Sequence, residues 1–135
     1  MQRRKLLKTW LIGLAVFPAA KVEAKPIRKK MILQTSPVAG VQYYQVDNVW
    51  TRLSVGQQVL LQAEIGNQYD ADAVEIYWQD QTTDERYKLG YLPRKQNYAV
   101  SQLLQNQKIL CAEISQLKKS NDPWQKIAIT IFMKG

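Results

Sequence analysis

The sequence predicts a mainly β fold of about six strands with one or two short helices. The main evidence is the spacing of apolar residues, which recur at every second position in short runs rich in β-branched and aromatic side chains. Turn-forming residues separate these runs, and 135 residues are enough for one domain with one modest core. The predicted strands lie at residues 39–43, 59–65, 74–78, 87–91, 109–112 and 127–133.

Turns and one helix connect the predicted strands. Asn67–Asp70 contains short polar side chains that can bond the local backbone, whereas Asp80–Glu85 and Ser120–Pro123 have the composition of hairpin tips. A helix is expected at about residues 97–106, capped by Asn97. Strands this short are expected to form a strongly bent, partly closed barrel, because closure leaves few unpaired edges.

The positive charge of the chain lies ahead of the predicted barrel. The net charge is +8, but residues 1–30 hold nine basic residues and one acidic residue, whereas residues 31–135 hold ten of each. The barrel is therefore neutral overall, and bulk charge gives no reason to expect that it binds phosphate.

The scarcity of cysteine and histidine excludes several kinds of chemistry. Cys111 is the only cysteine and the chain has no histidine, so an intrachain disulfide and histidine-dependent catalysis are excluded. Asp70, Asp72 and Glu75 do not have the spacing of an EF-hand calcium loop. Because no nucleophile–base pair or metal cluster can be assembled, we expect a non-catalytic protein without cofactor or metal.

The first 24 residues have the layout of a secretory signal peptide. Residues 1–8 are basic, residues 9–20 are apolar, and Val22-Glu23-Ala24 places small residues at the two positions that a signal peptidase inspects. The run Gln2–Lys8 also resembles a bacterial twin-arginine signal. We expect cleavage after Ala24 and export of the protein to the periplasm or the medium. If the segment is not a signal, we expect a cytoplasmic protein.

A basic linker is expected between this segment and the barrel. Residues 25–35 contain four cations and fit either a solvated linker or a tether to anionic lipid or polymer. The barrel domain is then expected at residues 36–135, as a monomer. No transmembrane span is expected, because the apolar stretch near the N-terminus is shorter than the length of about 20 residues that a spanning helix needs.

Three clusters resemble the motifs of a known family. Gly40-Val41-Gln42-Tyr43-Tyr44 resembles a first strand with paired aromatic residues, and the segment from Asn67 to Val74 resembles an Asn-Pro-Tyr-Asp-x-Asn-Ala-Ile motif. The third cluster, Gly90-Tyr91-Leu92-Pro93-Arg94, resembles the strand-to-helix turn that follows, with Gly90 at a bulge or close backbone approach. In order and spacing the chain resembles a HIRAN domain, found in replication-fork-remodelling ATPases and as stand-alone bacterial proteins.

The resemblance implies an OB-like barrel that captures the 3′ end of single-stranded DNA. It implies that Tyr43 and Tyr44 stack on the terminal bases and that a basic residue, for which Arg94 is the candidate, contacts phosphate. The polar turn would surround the terminal sugar through Asn67, Tyr69 and Asp70.

Two departures from the family pattern weaken the expected affinity for DNA. Gln42 stands where the DNA-binding members have arginine, and Asp72 stands at the second asparagine of the middle motif. One cation is lost and one anion is gained, so binding is expected to be weak and sensitive to salt.

The tyrosine pair and the polar turn each allow a structural role as well as a binding role, and two functions remain open. Tyr43 and Tyr44 would point to opposite faces of a strand, so at least one is expected in the core, and Asn67 and Asp70 are also typical turn-forming residues. The function is either binding of a single-stranded nucleic acid end, or an exported envelope role in which the same cleft takes a peptide, a glycan or a protein partner.

Overall fold

The computed structural model describes residues 30–134, so the expected signal peptide (residues 1–24) and residues 25–29 lie outside the described range. Within it no helix is long and apolar enough to cross a membrane. The helices are α1 (Val46–Val49) and α2 (Tyr98–Gln105), and the strands are β1 (Lys30–Pro37), β2 (Gln58–Ala63), β3 (Val74–Gln79), β4 (Arg86–Tyr91), β5 (Leu110–Leu117) and β6 (Ile127–Lys134).

The strands form one antiparallel sheet in the order β1-β6-β5-β2-β3-β4. Its two edges approach each other directly after β1, where Ala39 and Tyr91 exchange backbone hydrogen bonds of 2.8 and 2.9 Å. This short bridge closes the sheet in part, which confirms the partly closed, mainly β architecture.

The core lies inside the curved sheet and is capped by the two helices. Alternate residues of β3, β5 and β6 point inward, as the period of two predicts. The largest fully buried apolar side chains are Val38, Val49, Val59, Val74, Ile76, Leu89, Val100, Ile114, Ile127, Ile129 and Ile131.

The first strand differs from the sequence prediction. β1 begins at Lys30, so residues 30–35, which were expected in the linker, pair with β6 instead. The apolar pattern does not reveal this strand, because Met31 and Ile32 are both exposed and a bulge between Ile32 and Gln34 shifts the register.

The predicted strand at residues 39–43 is wrong. Gly40 adopts a φ of 77°, which glycine tolerates best, and the chain turns there into a 3-10 helix at Val41–Tyr43. Only Ala39 keeps a strand-like bridge, so Tyr43 and Tyr44 do not alternate across a sheet.

The hairpin tips and α2 agree with the prediction, apart from the cap. The backbone N–H of Asp80 donates to the carbonyl of Glu85, which closes the β3–β4 hairpin. α2 begins directly after Asn97, but the Asn97 side chain does not cap the helix and instead donates to Asp70.

Candidate functional site

A contiguous surface of contacting side chains, which we call the cleft, lies beside the bridge that closes the sheet and is centred on Tyr44, Glu64, Asn67, Lys88 and Tyr91. Because Ala39 pairs with Tyr91, the 3-10 turn that follows Ala39 packs against β4. The ring of Tyr44 then lies 6.1 Å from the ring of Tyr91, centroid to centroid, at an interplanar angle of 55°. Two aromatic side chains from distant parts of the chain therefore form one side of this surface, which we call the aromatic wall.

Lys88 lies against both rings. Its Nζ atom is 4.7 Å from the Tyr44 ring centroid and 4.2 Å from the Tyr91 centroid, within the range of cation–π attraction. Nζ also donates to the Tyr91 hydroxyl (2.8 Å) and forms an ion pair with Glu75 (2.9 Å). Glu75 in turn accepts a hydrogen bond from the Tyr77 hydroxyl at 2.9 Å.

A bulge explains why Lys88 and Tyr91 meet. Residues three positions apart point to opposite faces of a regular strand. The register of β4 against β3 shifts between Ile76 and Tyr77, which adds one residue to β4 and brings Lys88 and Tyr91 to the same side.

The turn at Asn67 joins the same cleft. The Asn67 Oδ1 atom accepts from the backbone N–H groups of Tyr69 (2.8 Å) and Asp70 (3.0 Å). Its Nδ2 atom donates to Glu64 Oε1 (2.8 Å), which also accepts from the Tyr91 hydroxyl (2.6 Å). Glu64 therefore connects the polar turn to the aromatic wall, and the two segments converge on one side of the molecule.

The two aspartates of the turn are bonded to α2 and to the turn itself. Asp70 Oδ1 accepts from the backbone N–H of Asp72 (3.0 Å), and Asp70 Oδ2 accepts from Asn97 Nδ2 (2.8 Å). Asp72 Oδ1 accepts from Gln102 Nε2 at 3.2 Å. Both carboxylates hold the turn on the helix, so a ligand hydroxyl would have to share them with these bonds.

The remaining candidate residues are exposed around the cleft. Tyr43 and Tyr69 are 77% and 81% exposed, and Gln42 is exposed as well. Arg94 is exposed and donates through NH2 to the Tyr69 carbonyl at 2.7 Å. The expectation that one tyrosine of the pair lies in the core is wrong, because Tyr44 is only half-buried and Tyr43 points to solvent.

Three residues of the site, Glu64, Lys88 and Tyr91, are not predicted from the sequence. Tyr91 stands inside the third motif, beside Gly90, but the alternation of apolar residues predicts only a strand position for it. The bulge that turns Lys88 and Tyr91 to one side is not visible in the apolar pattern, and only the glycine marks its place.

The cleft is a partly buried network of charges. Burial by itself lowers the pKa of Lys88, but hydrogen bonds to Tyr91 and Glu75 and the Glu75 charge outweigh burial and raise this pKa overall. Burial and the hydrogen bond to Glu64 raise the pKa of Tyr91 to about 12. The cleft is negative overall, because four carboxylates outnumber two cations. The carboxylates are those of Glu64, Asp70, Asp72 and Glu75, and the cations are Lys88 and Arg94.

Glu64 makes the stability of the cleft dependent on pH. Hydrogen bonds from Tyr91 and then Asn67 lower the pKa of Glu64 below its ordinary value of 4.5. A lowered pKa adds stability above the ordinary value, and that stability is lost as the pH falls through the folded-state pKa. We expect Tyr91→Phe to lose less stability than the wild type between about pH 5 and pH 3, because the Phe variant lacks the main bond to the carboxylate.

Chemical denaturation at several pH values measures this difference. Tyr98→Phe is the matched control, because Tyr98 is exposed on α2 and its hydroxyl has no hydrogen-bond partner among residues 30–134. Parallel pH curves for the wild type and the Tyr91 variant would contradict the role given to Glu64.

A second groove lies away from the cleft. It has a volume of about 720 Å³, and its walls include Arg52, Trp78 and Asp80 near the β3–β4 hairpin tip. Arg52 pairs with Asp80 and lies over the rings of Trp78 and Tyr87 at 5.8 and 5.4 Å. The Arg52 guanidinium already contacts Asp80 and two aromatic rings, so it is not free to bind a ligand in this groove.

No group of three or more potential metal-ligating side chains occurs among residues 30–134. A partly closed antiparallel sheet with an aromatic and polar surface at its closure defines a small, mainly β, barrel-like domain. The HIRAN domain family model matches residues 32–134, and the chain belongs to this family. Homology to HIRAN domains suggests a module that binds nucleic acid.

Two solved structures resemble this chain. A crystal structure of a protein from Lactobacillus plantarum shares 31% sequence identity, covers 78% of this chain and 95% of its own, and superposes with a TM-score of 0.64. The crystal structure of the HIRAN domain of human HLTF shares 16% identity over 78% of this chain and 79% of its own, with a TM-score of 0.55, and shows the common fold. No curated protein matches the sequence.

Proposed function

We propose that the chain binds the 3′ end of a single-stranded nucleic acid in the cleft formed by Tyr44, Glu64, Asn67, Lys88 and Tyr91. The observation that carries this proposal is the convergence of the aromatic wall and the polar turn on Glu64. A terminal nucleotide presents a flat base and a sugar hydroxyl, and the cleft presents an aromatic surface next to hydrogen-bond acceptors.

Stacking supplies the affinity in this proposal. A base that stacks on an aromatic side chain gains about 1–3 kcal/mol without demanding a particular sequence. Tyr44 is half-buried against Tyr91 and Lys88, so its ring is held in place before a ligand arrives. Tyr43, exposed one residue earlier, is available for a neighbouring base.

The negative charge of the cleft supports a preference for an end. A carboxylate can accept a hydrogen bond from a free 3′ hydroxyl, but it repels a phosphate at the same position. Glu64 and Asp70 lie at the polar turn, and two described cations contact the same network: Lys88 through the Tyr91 hydroxyl and Arg94 through the Tyr69 carbonyl. A strand that ends in the cleft therefore fits these charges better than a strand that continues through it.

Replacing Tyr44 with alanine is expected to weaken binding of a single-stranded oligonucleotide by about 5- to 150-fold, which is the loss of one stacking interaction. Fluorescence anisotropy of the full chain with a labelled oligonucleotide measures the change. Tyr44→Phe is the matched control: it keeps the ring, and we expect it to bind like the wild type.

The same measurement separates end recognition from general affinity. We expect a 3′-phosphorylated oligonucleotide to bind more weakly than one with a free hydroxyl, and binding to weaken between about 50 and 200 mM salt. Equal affinity for the two ends would contradict 3′-end capture. No binding at low salt would remove the nucleic-acid proposal and favour the envelope alternative, in which the cleft takes a peptide, a glycan or a protein.

A further inference from the structure

The tip of the β5–β6 hairpin, residues 118–126, concentrates positive charge in a domain that is neutral overall. It carries Lys118, Lys119 and Lys126 against one acidic residue, Asp122. Lys118 and Lys119 are exposed, and neither side chain has an ion-pair partner among residues 30–134. By contrast, Lys88 and Arg52 are engaged by carboxylates.

Two shallow grooves flank this tip, and each combines a tryptophan with lysine. One groove, of about 460 Å³, is lined by Lys118 and Trp124 together with residues of β1 and β6. The other, of about 450 Å³, is lined by Trp50, Lys119 and Lys126, with Asp47 at its edge.

The tryptophans differ in how far they are open to a ligand. Trp124 is 59% exposed at the hairpin tip, so its ring can be covered by a flat ligand. Trp50 is half-buried against the core, and Lys126 lies over its ring at 5.9 Å and pairs with Asp47 at 3.6 Å. The groove with Trp124 is therefore the more accessible of the two.

The hairpin tip lies next to the cleft. The 3-10 turn Pro123–Gln125 packs against the 3-10 turn Val41–Tyr43. Trp124 and Tyr43 are both exposed and belong to these two adjoining turns.

We propose that the hairpin tip is a second contact for single-stranded nucleic acid, where Trp124 stacks on a base and Lys118 and Lys119 bind phosphates upstream of the captured end. Proteins with OB-type barrels hold a single strand by combining positively charged side chains that contact the backbone with aromatic side chains on which bases stack. The tip also supplies the phosphate-binding cations that the cleft lacks at Gln42. This inference rests on the proposed function of the cleft and extends it to longer ligands.

The test compares a short and a long oligonucleotide, of about 4 and about 12 nucleotides, on the full chain. We expect Lys118→Gln/Lys119→Gln to weaken binding of the long oligonucleotide on the order of 10-fold at about 0.1 M salt, and to reduce the salt slope by about 1.4. Binding of the short one should not change. Trp124→Ala should weaken the long one by about fivefold or more.

Arg86→Gln/Lys108→Gln is the matched control. It removes two positive charges from exposed residues: Arg86, at the start of β4 and about 17 Å along the strand from Tyr91, and Lys108, just before β5 and about 30 Å along the chain from Lys118. We expect this variant to retain the salt slope of the wild type. The same slope in both double variants would show that only net charge matters and would overturn the inference.

The outcomes separate the hairpin from the cleft. If the wild type binds the short oligonucleotide and its affinity for the long oligonucleotide is no higher, the cleft proposal stands and the hairpin inference is wrong. If the hairpin variants weaken binding to base-free inorganic polyphosphate as much as to the long oligonucleotide, the tip is a general polyanion site and the inference is also wrong. If the wild type binds neither oligonucleotide, both proposals fail.

Discussion

Replacing Gly90 with alanine is expected to lower the free energy of unfolding by about 2–4 kcal/mol. Gly90 has a φ of 154°, a region that other residues rarely adopt. A Cβ atom at this position would lie 2.2 Å from the Ala39 carbonyl oxygen and 2.9 Å from Val38 Cγ1. The first contact is with backbone, so it is relieved only if the closing bridge between Ala39 and Tyr91 opens.

Gly66→Ala is the matched control for this variant. Gly66 also has a positive φ, of 90°, but a Cβ atom there would have no neighbour within 4 Å. Its substitution is expected to cost about 1–2 kcal/mol, from backbone strain alone. Chemical denaturation measures both variants, and an equal loss of stability in the two would show that the contact with Ala39 is unimportant.

Gly90 also connects the stability of the domain to the geometry of the cleft. Opening the bridge would separate the turn at Val41–Tyr43 from β4 and move Tyr44 away from Tyr91. We therefore expect that the fraction of the Gly90→Ala variant that remains folded binds the oligonucleotide more weakly than the Gly66→Ala variant does.

Replacing Lys88 with methionine is expected to lower the free energy of unfolding by about 2 kcal/mol. The side chains of Lys88 and Glu75 are only 20% and 10% exposed, so removing the cation leaves a carboxylate that is largely shielded from water. Full burial would give a loss of about 3–5 kcal/mol, and partial exposure of Lys88 reduces it. Methionine keeps most of the aliphatic length, so the loss reports charge rather than packing.

A double variant identifies the source of this loss. In Glu75→Gln/Lys88→Met both charges of the ion pair are absent, and we expect it to be more stable than the sum of the two single variants predicts. Lys108→Met serves as control for an exposed lysine and should change stability little. Additive effects of the Glu75 and Lys88 substitutions would contradict the coupling.

Much of the sheet could be predicted from the sequence, because one face of each strand is buried. Alternation locates β2, β3, β4 and β6 to within a few residues, since their inward positions must be apolar to fill one core. β1 was missed because it lies at the edge of the sheet, with exposed apolar residues and a bulge that interrupts the period.

The site was predicted in part, from motifs rather than from periodicity. The clusters at Tyr44 and Asn67 do converge, as their resemblance to a family implied. The roles of Glu64, Lys88 and Tyr91 depend on the bulge in β4 and on a glycine turn at Gly40, and neither leaves a signal in hydrophobic spacing. Export through residues 1–24 stays a prediction, since these residues lie outside the described range.

In the proposed function, the terminal nucleotide lies against both the aromatic wall and the polar turn. Two-dimensional NMR of the isotope-labelled full chain, titrated with an oligonucleotide of about 4 nucleotides and a free 3′ hydroxyl, tests it most directly. We expect the backbone amide signals of Tyr44, Asn67, Lys88 and Tyr91 to shift together in proportion to occupancy. Shifts confined to the groove at Arg52 and Asp80, with those four signals unchanged, would contradict the claim.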